Sequence, residues 1–592
     1  MSNFFVGMPT ANIAALTTLQ LNDLSTADYL LLNTDQVRAL RTDQLRALRT
    51  ELIAALTTRQ VQALSTDQIQ KGLTTSEVVA LTTLQAAALT TAQVQALSTA
   101  QLRAMETRDV AALSSAAVRV LTTEQIHSGL ATAQMAALAS GQAAALQSDQ
   151  VAALGTDQLR ALQTRAVAAL GTAALTALAT DQIQQGLSTA QVAALTTQQV
   201  ASLNTDQVQQ GLTTDQIVAL TTAQVSALRT EQVQALSTDQ VHVLHTLNLA
   251  VMNTAQVASL TTAQLRLAVT TDQIVALTTA QVAALGTAQV RALATDQLRA
   301  METRDVAALT TRQIQALTTT QINLGLTTSQ IAGLTTSQTA ALTSDQVAAL
   351  STDQLRARST SSVAAMSTAA IKALSTDQVA SLSTAQIAAL TTAQVAAFTT
   401  TQIAAALGTD QVVALTTAQA AALRTDQIQA LSTDQLHALE TRDLAALSTR
   451  QIAVLSTDQI ATGLGTDQIV ALTTAHAGAL TTAQARALST QQLSVMETRD
   501  IAALSSSAVQ ALSTSQLRFG LTTDQVIALT TAQAAALNTD QVTALGTAQL
   551  RALETRDFAA LGSAQVQGLT TDQIQALSTD QVVALSTAQS AA

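Results

Sequence analysis

The sequence predicts an all-α repeat solenoid of about seventy very short capped helices. Three observations carry that prediction. A Leu returns every eight residues along most of the chain. A Thr or Ser stands three residues before a Gln that is followed by an apolar residue, again and again. And the 592-residue chain is 48% hydrophobic but only 1% aromatic, with no Trp and no Cys. Large cores lean on aromatic side chains. This chain has to build its interior by stacking many small units instead.

The octad is clearest at Leu277–Leu285, which reads Leu-Thr-Thr-Ala-Gln-Val-Ala-Ala-Leu. We number it so that position 1 follows the Leu. Position 1 is Thr, Ser, Gly, Asn or Arg, and position 2 is nearly always Thr. Position 3 is often Asp or Ala, and position 4 is Gln. Position 5 is Val, Ile or Leu, positions 6 and 7 are small, and position 8 is Leu. Thr/Ser-x-x-Gln before an apolar residue is a capping box, and the flanking Leu and Val stand at the hydrophobic-staple spacing. Asp at position 3 suits the positive end of a helix, and Ala-Ala-Leu propagates one. In a second frame the position-2 Thr is the cap, which Pro9 at position 1 favours; the recurrent Gln favours the first.

Two other architectures compete. In one continuous helix, apolar positions 5 and 8 would recur on average every four residues, so no buried stripe would persist. A β-solenoid would suit Thr and Val but not the recurrent Ala, Gln and Leu.

A longer period overlies the octad. Nine-residue units end at Leu73, Leu130, Leu187, Leu212, Val269, Leu326, Leu407, Leu464 and Leu521. Most successive ends are separated by six octads and one nonad, which makes a 57-residue super-repeat of seven units. Most nonads carry Gly before the last Leu: Gly72, Gly129, Gly186, Gly211, Gly325, Gly463 and Gly520. That placement suits a left-handed residue ending a helix. A path of about 10 Å per octad makes one super-repeat trace roughly 75 Å. On that estimate the super-repeat forms one coil or one longer superhelical pitch.

The densest charge is the tetrad Glu-Thr-Arg-Asp, which keeps the same phase. Its charged members are Glu106, Arg108 and Asp109; Glu302, Arg304 and Asp305; Glu440, Arg442 and Asp443; Glu497, Arg499 and Asp500; and Glu554, Arg556 and Asp557. Catalytic carboxylate pairs need an asymmetric pocket that separates their pKa values. Repeated copies, each with its own Arg, point to a structural role: a local charge network, a ladder of ion pairs between coils, or a strip facing a partner. No catalytic, cofactor-binding or metal-binding residue is assigned. The five His are scattered, and only His242 and His245 are close. Without Cys there is no disulfide framework or thiolate metal site. Phosphate loops, nucleophile elbows and zinc-protease motifs are absent. Ordered Thr rows could organise ice, but helix capping already accounts for one of the two Thr positions.

The net charge is −11, and the basic residues are scattered, which argues against nucleic acid. No apolar run is long enough to span a membrane. The first Arg is Arg38, so a Sec-type signal is not expected. Residues 1–8 read as an apolar tip, and 9–592 as one octad-repeat solenoid. Phe4 and Phe5 could fold back as a cap or serve as an assembly tip, or the chain could be part of something longer.

The Leu-Thr/Ser-Thr-Asp/Ala-Gln-Val-x-Ala tandem resembles the long Ala/Thr/Gln-rich repeat regions of large proteobacterial surface and adhesin-like proteins. That resemblance implies a bacterial structural or adhesive role outside the cell, reached without an N-terminal signal; otherwise the chain is cytoplasmic. It carries no functional residue over. The expected function is therefore non-enzymatic: a rod, filament subunit or cell-surface fibre that self-associates end to end, without cofactor or small-molecule substrate. The alternative is a scaffold binding protein, glycan or ice through one solenoid face. That reading requires a column of residues departing from the consensus on one side.

Overall fold

The computed structural model describes residues 4–591 and divides into two compact units, Met1–Met301 and Glu302–Ala592. Each unit is a solenoid of short helices joined by extended turns, with no strand among the described residues. The consensus octad shows why. Thr278 is an extended N-cap (φ −75°, ψ 155°), and the helix runs Thr279–Ala283. The Gln281 backbone N–H donates to Thr278 Oγ1 at 3.3 Å. The Thr278 N–H donates to Gln281 Oε1 at 2.7 Å. This is the capping box in the first frame, with position 1 as the cap. Where position 1 is Gly155 or Ala131, the Gln half of the box remains alone.

Three positions of each octad point inward. Val282 and Leu285 form the expected apolar lining. Gln281 joins them and is only 2% exposed. An amide buried to that degree needs partners for its NH2 group as well as its oxygen. Gln281 Nε2 donates to the backbone carbonyls of Leu249 (2.8 Å) and Met252 (2.6 Å). Those are positions 5 and 8 of an octad one coil earlier. The same bonds recur in both units: Gln44 to Ile13 and Leu16, Gln93 to Val61 and Leu64, Gln378 to Val347 and Leu350, Gln484 to Ile452 and Leu455.

This ladder measures the coil. The position-8 carbonyl lies 28 residues before its Gln, or 29 where a nonad intervenes. That span is three and a half octads. Each Gln, at the middle of its unit, thus meets the end of a unit in the preceding coil. Helices accordingly pack on the element three further along, as Thr10–Ala15 does on Thr34–Ala39 and Thr34–Ala39 on Thr58–Ala63. The seven-unit super-repeat is therefore two coils, after which units align again, and the one-coil estimate is corrected.

The nonads absorb their extra residue mainly by widening. Gln68–Gly72, Gln125–Gly129, Gln207–Gly211, Gln321–Gly325, Gln459–Gly463 and Gln516–Gly520 are π-helical turns. Thr180–Gly186 and Thr400–Ala406 are longer α-helices instead. The reading of the nonad glycines as left-handed is overturned. Gly7 is the only positive-φ residue among those described. The nonad glycines are small because they press on the coil before. A Cβ on Gly72 would lie 3.2 Å from Leu45 Cδ1, and one on Gly520 would lie 3.2 Å from both Leu493 Cβ and the Thr490 Cα. Gly129, Gly186 and Gly463 press on Leu102, Leu159 and Leu436 in the same way, and Gly325 is likewise buried.

At the start of the first unit, Phe5 is fully buried, edge-on to Tyr29 at 5.7 Å. Gln36 Nε2 donates to the carbonyls of Phe5 (2.7 Å) and Met8 (2.9 Å). The tip thus takes the place of a preceding octad. Phe4 packs on Phe5 at 5.1 Å but stays partly exposed.

If the Gln ladder ties the coils, Gln281→Met should destabilise the first unit by about 2–3 kcal/mol. It keeps the shape but leaves the Met252 carbonyl and the Thr278 N–H without partners and takes one of two donors from the Leu249 carbonyl. Denaturant unfolding of both chains checks this.

Candidate functional site

Because positions 4, 5 and 8 hold the coils together, chemistry has to be sought where they depart from consensus. One column departs regularly. In the first unit, position 4 is Leu52, Asp109 and Ala166, one super-repeat apart, and Asn248 further on. In the second it is Asp305 then Ser362, and Asp443, Asp500 and Asp557, again one super-repeat apart. Since a super-repeat is two coils, each series runs along one side of its unit.

The tetrads lie in this column. Their Glu is the N-cap residue and their Asp stands where Gln otherwise does. Arg304 and Arg442 each place Nε on the Glu Oε2 two residues before, at 2.6 and 2.7 Å. Arg556 does so at 2.8 Å, Arg499 pairs with Glu497 likewise, and Arg108 Nη2 meets Glu106 at 2.6 Å. All these ion pairs are within one tetrad, so the tetrad is a local network. The Arg are exposed and the Glu mostly half-buried at the surface, and such pairs add little stability. The Asp is the opposite: Asp109, Asp305, Asp443, Asp500 and Asp557 are at most 2% exposed.

In the tetrads the Asp does not close the capping box. It instead accepts a hydroxyl from the coil before. Thr83 donates to Asp109 (2.7 Å), Thr417 to Asp443 (2.6 Å), Thr474 to Asp500 (2.8 Å) and Thr531 to Asp557 (2.6 Å). The donors are position-2 threonines, so this residue too can serve between coils. Burial pushes the Asp500 carboxyl above its ordinary range, against the pull of the Thr474 hydroxyl and Arg499. An open cleft of about 510 Å³ lies between two tetrads, with Val470 flanked by Arg442 and Arg499. Val413, Val470 and Ile527 repeat at the column's own spacing and are exposed.

The histidines do not converge. Among the described residues no group of three or more His, Asp or Glu could hold a metal ion. His242 ends the helix Thr238–His242, and His245 stands at the N-cap of the next without a side-chain cap bond. His127 and His242 each meet a backbone carbonyl of the following coil, at Ala153 and Ala268. His476 is buried in a Gln slot and does both of Gln's jobs. Its Nδ1 accepts from the Thr473 N–H at 3.4 Å, and its Nε2 meets the Leu447 carbonyl at 2.6 Å. That arrangement requires the neutral Nε2–H tautomer.

Arg358 was not singled out from the sequence. It occupies position 8, the Leu site, and is buried, with Nε and Nη2 unpartnered. Burial lowers its pKa to about 10. Its neighbour explains it. Ser362 stands where a Gln would donate to the Ile331 carbonyl, and Arg358 Nη1 donates there instead. The guanidinium supplies the cross-coil donor that Ser362 lacks.

The ladder and its cap correspond to a known sequence family. A model of the ALTTAQ repeat matches residues 37–71, 102–140, 151–185, 210–246, an overlapping series from 267 to 474, 494–531 and 550–587. The chain belongs to the ALTTAQ repeat family. The six letters are positions 7, 8, 1, 2, 3 and 4, as in Ala276–Gln281. They span the end of one helix and the capping box of the next. No curated protein matches. Among solved structures, the leucine-rich repeat-containing protein LegL7 from Legionella pneumophila is similar at 11% identity. That match has a TM-score of 0.12, covers 42% of this chain and 82% of that one, and carries no argument.

Combining Arg358→Leu with Ser362→Gln restores the consensus residues at positions 8 and 4. The double variant should be more stable than the natural chain by about 2 kcal/mol, because an unpaired buried cation is replaced by Leu and a matched amide. The two effects should be strongly non-additive. A double-mutant cycle in denaturant measures both.

Proposed function

We propose that the chain is a non-enzymatic structural scaffold, a rod or fibre segment whose copies stack end to end. The observation that carries this reading is the ladder itself: positions 4, 5 and 8, as in Gln281, Val282 and Leu285, are given over to stacking one coil on the next, and the same bonds recur in the second unit. Ile574 and Val582 are position-5 residues and are 55% and 51% exposed, whereas Val526 and Val542, one to two coils earlier, are fully buried. A coil from a second copy would cover them, by a heterologous contact that does not close. No helix among the described residues is long and apolar enough to cross a membrane. The resemblance to proteobacterial surface repeats supports a place outside the cell.

A second reading is favoured by the departing column: a scaffold that binds a protein or glycan through the face carrying Arg442, Val470 and Arg499. There, replacing both Arg by Ala would abolish binding and leave assembly intact.

End-to-end stacking predicts particles that lengthen with concentration in negative-stain microscopy. Ile574→Arg with Val582→Arg should hold them short. Short isolated particles of the natural chain at high concentration would overturn the assembly reading.

A further inference from the structure

Glu77 stands in a Gln slot, and the shape of the repeat dictates what that slot requires. Like a Gln, it closes the capping box of the helix Thr75–Val79. The Thr74 N–H donates to Glu77 Oε2, and the Glu77 N–H donates to Thr74 Oγ1 at 3.4 Å. Its other oxygen, Oε1, is buried and has no partner, and the residue is 2% exposed.

One octad later Gln85 shows what belongs at that atom. Gln85 Nε2 donates to the carbonyls of Ile53 (2.9 Å) and Leu56 (2.6 Å). One octad back, the matching carbonyls are those of Leu45 and Leu48. Among the described residues no side chain donates to either. A carboxylate there sets a charged, proton-free oxygen in the place where the repeat aims a donor at two carbonyls. A carboxylic acid has the donor.

We infer that Glu77 is a proton-binding site in the solenoid, holding a proton on Oε1 and donating it to the carbonyl end of the preceding coil. The neutral acid is then a replacement for Gln that can be switched off. Water supplies the proton, and its loss leaves the carboxylate facing carbonyl oxygens.

The charged groups on the elements packed against it do not supply a substitute partner. They are Glu51 on Thr50–Ala55 and Arg103 on Thr99–Ala104, with Asp43 and Arg46 on the nearby Thr42–Arg46 and Lys71 on Gln68–Gly72, the element just before it. All are exposed, and Lys71 is paired with Asp67. Burial raises the Glu77 carboxyl pKa, opposed by the Thr74 N–H and hydroxyl and by Arg46. For an acid with a raised folded-state pKa, the added stability is complete below the unfolded-state value. It is lost as pH rises through the folded-state value. Acid should therefore tighten this coil.

Glu77→Gln in the full chain tests the inference, because Gln fits the slot at any pH. Amide exchange at Thr74 and Val78, corrected for intrinsic rates, should speed up in the natural chain as pH rises through the Glu77 pKa. The change should approach about tenfold per pH unit above that pKa. The variant should stay protected throughout. Infrared difference spectra between the two chains should show one protonated carboxyl band below that pH. Identical exchange profiles, or no such band at any pH above the ordinary Glu range, would overturn it.

Discussion

A helix of five or six residues is nearly all ends, and that constraint shapes everything else here. Four N–H groups and four carbonyls per helix lack intrahelical partners, so an isolated unit of this length would not persist. The ALTTAQ repeat meets both needs with one residue. Gln281 Oε1 accepts at the start of its own helix, and its Nε2 donates to the end of a helix one coil earlier. Neither Asn nor Glu can do both at this reach and at every pH. Local folding and coil stacking thereby become a single event.

The same residue sets the coil. A Gln at position 4 has to meet a carbonyl at position 8, which forces a half-unit offset and three and a half octads per coil. Most nonads come two coils apart and add one residue without breaking the ladder. Their π-turns widen the helix locally, and a small residue lets the widened turn sit on the Leu beneath. The aromatic-poor composition follows: each layer needs only a Val, a Leu and the stems of its Gln side chains.

Much of this was legible in the sequence because it is local. The capping box, its frame and the Leu and Val lining all depend on residues within one octad. The second half of the Gln ladder was not legible, since its partner is a full coil away and the local box already gives Gln a reason to recur. The nonad glycines were misread for a related cause. A left-handed turn and a close approach leave the same residue in the sequence, and only the packing on Leu45 or Leu493 separates them. Phe5 was an open choice between cap and assembly tip; its carbonyl accepts from Gln36 as position-5 carbonyls do elsewhere in the ladder. The tetrads were visible as a column, but their buried Asp and its Thr donor from the coil before were not.

The inward positions are held by the ladder, so variation is left to the outer face and to slots such as Glu77, His476 and Ser362. The ladder itself is the central claim. It is tested most directly by hydrogen exchange of the Gln side-chain amides, followed by NMR on the full chain. Position-4 Nε2 protons should exchange orders of magnitude more slowly than those of exposed Gln at positions 6 and 7, such as Gln95 and Gln210. They should also show contacts to the position-8 residue one coil earlier, as from Gln281 to Met252. Uniformly fast exchange, or contacts only within the octad, would contradict it.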